Sequence, residues 1–187
     1  MVEKKIEKLA EINSLLSSNK FEEVSNLLNS GLLTGLDYDE AIGNYYFYKK
    51  DFNKAVECYR NIMEKQPKSR LSRYQYLSGI GHERLGDYVE AFKNYQDAID
   101  IDPNFVDAYV ELGALLAKVE AYNGAATCYR DAIKLTPNDI TLYLNLIEVL
   151  PKTDADENSK QKELEDVNKK FEQLKNTGVE VPKINFW

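Results

Sequence analysis

Three glycines set the frame for this chain. Gly43, Gly79 and Gly113 are each followed twelve residues later by alanine, at Ala55, Ala91 and Ala125. Four residues beyond each alanine stands tyrosine (Tyr59, Tyr95, Tyr129), and eight beyond that stands proline (Pro67, Pro103, Pro137). The copies are offset by 36 and then 34 residues, so the two extra residues fall between Pro67 and Gly79. A period of this length marks a chain of stacked supersecondary units, each burying its apolar face on its neighbours.

Each unit reads as two helices. Ala91, Phe92, Tyr95, Ala98 and Ile99 recur at helical spacing, and similar stripes run through the other copies. The prolines end the second helix, because proline cannot continue a helix interior. Asn104 and Asn138 follow as candidate N-caps. The Gly of the first helix and the Ala of the second let the two axes approach. The Tyr is expected to fill the space toward the neighbouring unit.

These columns resemble the tetratricopeptide repeat, whose pattern is W-x2-L-G-x2-Y, then A-x3-F, then P, over 34 residues. The third copy matches best, with Tyr109, Leu112, Gly113, Leu116, Ala125, Tyr129 and Pro137. Asp39 and Gln75 replace the large residue expected at the start of the first two copies. The resemblance implies an all-α superhelix of antiparallel helix pairs with a C-terminal capping helix. Taken as one domain over 1–187, it divides into a degenerate N-terminal hairpin (1–35) and full repeats at 36–69, 72–105 and 106–139. A partial repeat with the capping helix (140–176) and an extended apolar tail (177–187) complete it. In the degenerate hairpin, Ile12 stands in the Gly column and Leu28 in the Tyr column. Pro151 ends the partial repeat, and Leu164, Val167, Phe171 and Leu174 form the amphipathic stripe of the cap.

Composition removes several function classes. There are 24 Lys+Arg against 31 Asp+Glu, a net charge of -7, which argues against binding the phosphate backbone of a nucleic acid. The single histidine, His82, excludes paired-imidazole metal sites and is expected in a packed position. Cys58 and Cys128 occupy one column a repeat apart, too far for a disulfide, and form no Cys-x-x-Cys motif. Free thiols fit a reducing compartment. No catalytic set, phosphate loop or cofactor motif is present, so the chain is expected to be no enzyme. The charged N-terminus is not a secretory leader and no apolar run is long enough to span a membrane, which points to the cytoplasm.

The family resemblance implies that the first helices line a concave groove. The groove columns map to Glu40, Asn44 and Tyr48, to Arg73, Tyr76, Ile80 and Glu83, to Val110, Glu111, Ala114 and Lys118, and to Asn145. This mixture of apolar, aromatic and acidic side chains suits an apolar partner segment with basic flanks. A non-catalytic scaffold gripping a peptide or helix is the leading reading. A specialised chaperone or assembly factor holding an unfolded client segment, such as a secretion substrate, is the alternative. One subclass of the family clamps the terminal carboxylate of heat-shock chaperones with Lys, Asn and Arg. The corresponding columns here read Glu40, Asn44, Leu77, Asp107 and Glu111, which makes no such clamp. The tail from Val179 to Trp187 carries Val181, Ile184, Phe186 and the only Trp. It is expected to pack on the protein or on a neighbouring copy, giving self-association.

Overall fold

The computed structural model describes residues 2–177, and among them all regular structure is helical. The expectation for the tail falls outside these residues. The chain forms two compact units, Met1–Pro103 and Asn104–Trp187. The first holds α1 (Val2–Ser17), α2 (Phe21–Asn29), α3 (Leu36–Tyr48), α4 (Phe52–Lys65), α5 (Ser72–Arg84) and α6 (Tyr88–Ile101). The second holds α7 (Val106–Lys118), α8 (Tyr122–Leu135), α9 (Ile140–Val149) and α10 (Glu157–Lys175). No helix among the described residues is long and apolar enough to cross a membrane.

The helices start and stop where local chemistry dictates. The carboxylate of Asp51 accepts from the Lys54 amide and that of Asp87 from the Glu90 amide, capping α4 and α6. Helices α4, α6 and α8 end two residues before Pro67, Pro103 and Pro137. The two extra residues are absorbed by a 3-10 turn, Lys68–Arg70, between α4 and α5. The caps expected at Asn104 and Asn138 lie one residue further on. Phe105 caps α7 without a side-chain bond, and Asp139 caps α9 by accepting from the Thr141 amide.

The turn inside each of the first four pairs has one form. Asn19, Lys50, Gly86 and Glu120 all adopt positive φ, between 57° and 81°. The next residue closes each turn onto the carbonyl five back, as in Asp51 N–H to Tyr46 O and Ala121 N–H to Leu116 O. The same bond joins Lys20 to Leu15, so the N-terminal pair shares the turn although its core columns have changed.

Packing explains the columns. A Cβ placed on Gly79 would lie 2.6 Å from two ring carbons of Tyr95, and one on Gly113 would lie 2.8 Å from the Tyr129 ring. One on Gly43 would meet the Tyr59 ring at 2.9 Å. The tyrosine therefore lies first on the glycine of its own pair, a correction to the expectation that it points to the next unit. It still reaches its neighbour, since the Tyr59 ring sits 6.3 Å from that of Tyr74. Tyr74 also supplies the bulk that Gln75 lacks, one residue earlier in the helix. In the first pair the volumes are traded: Ile12 and Leu28 are buried in one cluster with Leu16 and Val24. In the second unit, Leu164, Val167, Phe171 and Leu174 of α10 cover the apolar side of α9, with Leu146, Val149 and Leu150 beneath them. A paired bond from the Arg130 guanidinium on α8 to the Glu163 carboxylate, 2.6 and 2.8 Å, ties the cap in place.

Candidate binding surface

In the first unit, Glu40, Asn44 and Tyr48 follow one another along α3 at four-residue steps, a single helix face. Arg73, Tyr76, Ile80 and Glu83 run along α5 at three- and four-residue steps. The two faces are neighbours. Tyr74 Oη donates to the Glu40 carboxylate at 3.0 Å, and the Arg73 guanidinium lies 3.9 Å from it. Tyr48 is 44% exposed, Tyr76, Ile80 and Glu83 are half-buried, and Asn44 is buried. The structure thus brings Glu40 of α3 beside Arg73 of α5, with Asn44 buried as part of the floor.

The floor is made by residues that sequence reasoning assigned to packing alone. Tyr59 Oη donates to Asn44 Oδ1 at 3.0 Å, and the Asn44 amide N–H faces Asn13 Oδ1 at 3.5 Å. Tyr95 Oη donates to the Glu83 carboxylate at 3.1 Å. Buried rings of the second helices thus send hydroxyls through to the acceptors of the first helices. The signal was present in the sequence. The family pattern has Phe in this column, and all three copies here have Tyr. A buried phenol needs a partner for its hydroxyl.

In the second unit, Val110, Glu111, Ala114 and Lys118 lie on α7 and Asn145 on α9. Lys118 is exposed and the other four are half-buried. Burial pushes the Tyr129 phenol well up, and the nearby charges of Glu148 and Glu111 push the same way.

These shifts give a pH prediction. Burial, then the Glu40 carboxylate, pushes Tyr74 up to about 12, and burial, then the Asp131 charge, pushes Cys128 up to about 11. Folded values above the unfolded ones mean that these groups stabilise fully below the unfolded values, near 9 and 10, and lose that contribution as pH rises toward 11 and 12. Urea midpoints should hold between pH 7 and 8.5 and fall steadily above pH 9. A flat profile to pH 11 contradicts the assigned burial.

One other cluster has the residue types of a hydrolytic site. Ser78 and His82 line a cleft of about 160 Å³ between α4, α5 and α6, and His82 Nδ1 lies 3.8 Å from Asp87 Oδ2. The Ser78 hydroxyl is buried and makes no hydrogen bond, so His82 does not reach its proton. A nucleophile without base or access performs no acyl transfer. Cys58 and Cys128 are both free, and burial pushes both thiols up, which leaves them protonated and unreactive at neutral pH.

Comparison with known proteins agrees with this geometry. Tetratricopeptide-repeat family models match residues 40–68 and 106–139, and a further TPR-repeat model matches 84–119. The chain carries tetratricopeptide repeats. A curated relative, Protein SGT1 homolog of Oryza sativa subsp. japonica, is 33% identical over 79 residues. That match spans 42% of this chain and only 21% of the relative. Among solved structures, MamA superposes with a TM-score of 0.70 at 16% identity, covering 98% of this tetratricopeptide-repeat chain and all of that one. The first TPR of Spaghetti (RPAP3), bound to the HSP90 peptide SRMEEVD, superposes with a TM-score of 0.55 at 21% identity. It covers 59% of this chain and 89% of that one. Likenesses at this identity establish the fold.

Proposed function

We propose that this protein is a non-catalytic scaffold whose first-helix faces grip a segment of a partner protein, with apolar anchors and basic flanks. The observation that carries the reading is the α3–α5 surface. Tyr48, Tyr76 and Ile80 offer apolar area between two carboxylates, and the hydroxyls of Tyr74 and Tyr95 hold those carboxylates in place. Fixed acceptors cost less to order on binding than mobile ones. In the second unit, α7 and α9 carry a similar mixture in Val110, Ala114, Glu111, Lys118 and Asn145.

A chaperone-linked role draws support from the likeness to a repeat domain bound to an HSP90 peptide. The charge pattern speaks against that ligand here. The peptide SRMEEVD is acidic toward its C-terminus, and Glu40, Glu83 and Glu111 repel such a segment. Two free thiols suit a cytoplasmic setting for the scaffold.

The test uses two synthetic peptides, one alternating Leu and Lys and one ending in SRMEEVD, titrated against the whole chain by calorimetry. The basic peptide should bind and weaken as salt rises. The double variant Tyr76→Ala, Glu111→Lys should lose about tenfold or more of that affinity, with helicity by circular dichroism unchanged. Tighter binding of the acidic peptide, or no effect of the double variant, overturns the reading.

A further inference from the structure

Four of the large apolar residues that the described chain exposes fall in one stretch of eight. Leu85 is 43% exposed, Tyr88 37%, Val89 77% and Phe92 43%. Leu85 sits at the turn that leads from α5 into α6, and the other three lie on the first two turns of α6, where steps of three and four residues bring Tyr88, Val89 and Phe92 onto one stripe. This is not a property of the repeat. The columns of Leu85 and Val89 hold Lys49 and Asn53 one copy earlier, and Val119, 46% exposed, and Asn123 one copy later. The column of Phe92 holds Val56 and Ala126, both buried. The second copy alone has apolar residues in both of the first two columns and a Phe in the third.

The stripe exposes roughly 300–400 Å² of apolar surface, the size at which a patch on a monomer usually has a use. Laid against the same stripe of a second copy, it buries at most about 800 Å² in total, which is the scale of an incidental contact. An occupant with its own large apolar side chains is needed. The chain encodes one. Residues 178–187 carry Val179, Val181, Ile184, Phe186 and Trp187, with one charge of each sign at Glu180 and Lys183. Two copies that exchange these segments, each laying its own on the stripe of the other, bury about 1,500 Å², the size of a standard stable interface. The exchange closes on itself by a two-fold axis and leaves no stripe uncovered.

We infer that the Leu85–Val89–Phe92 stripe is the docking site for residues 178–187 of a second copy, in a reciprocal dimer. This surface lies on the second helix and is independent of the first-helix binding face proposed above.

The test rests on two variants of the whole chain and on Trp187, the only tryptophan. Val89→Glu places a charge in the centre of the stripe at a position whose exposure keeps it out of folding. A chain ending at Thr177 keeps the stripe and loses the segment. By sedimentation equilibrium the unaltered chain should be a dimer at tens of micromolar, and each variant alone a monomer. Trp187 emission should be blue-shifted in the unaltered chain and water-like in Val89→Glu. The two variants mixed should then bind each other, because one still carries the segment and the other the stripe. Adding the truncated chain to Val89→Glu should move Trp187 emission to the blue. A monomeric unaltered chain overturns the inference, whatever its emission. So do a dimer that survives in either variant and a mixture that shows no shift.

Discussion

Gly79→Val is expected to destabilise the fold by about 3 kcal/mol or more, the upper end for overpacking a filled core. On an open helix the opposite sign holds, since replacing Gly by Ala stabilises by about 1 kcal/mol. Here a Cβ would stand 2.6 Å from two carbons of the Tyr95 ring, and that ring is fully buried. It has no room to retreat, because Tyr76 packs on it with ring centroids 6.2 Å apart. Urea denaturation followed at 222 nm measures the loss. The decisive comparison is a cycle of Gly79→Ala with Tyr95→Leu. If the ring is the obstacle, the double variant loses less than the two single losses combined, with a coupling of about 1 kcal/mol or more. Strict additivity would place the cost elsewhere.

Tyr59 allows ring and hydroxyl to be weighed separately. Tyr59→Ala empties a fully buried site between Gly43 and Tyr74, and a loss of about 3–5 kcal/mol follows from the size of the cavity. Tyr59→Phe keeps the ring and leaves the oxygen of buried Asn44 without its donor, which costs about 1–3 kcal/mol. Thermal melts of both variants give the split. A neutral Tyr59→Phe would mean that the Asn44 contact adds nothing to stability. The same variant frees the Asn44 amide to turn, so binding of the basic peptide should weaken in it even where the melt shifts little.

The framework was legible because repetition multiplies weak signals. One glycine twelve residues before an alanine means nothing, but three in register predict the helix pairs, the prolines that follow them and the place of the 3-10 turn between α4 and α5. Chemical detail at helix ends was less legible. Asn138 and Asp139 are adjacent residues that both cap well, and the choice between them depends on which amide each can reach once the turn has formed. The groove residues were assigned through the columns of the repeat that the chain resembles, which gives a helix and a position but no partner. Their hydrogen-bond partners were not mapped, because Tyr59 lies fifteen residues from Asn44 and Tyr95 twelve from Glu83, on different helices.

By itself, then, the sequence determined which residues become helix, where each helix breaks and which residue types meet within a pair. Periodicity and backbone chemistry are local and add up along the chain. Tertiary structure decided what the columns do to one another. It placed each tyrosine ring on its own glycine, turned the phenol groups toward Asn44 and Glu83, and left Phe92 uncovered while burying Val56 and Ala126 in the equivalent place. Burial and hydrogen bonding depend on what stands opposite in space, and residues in the same column of a repeat meet different neighbours there.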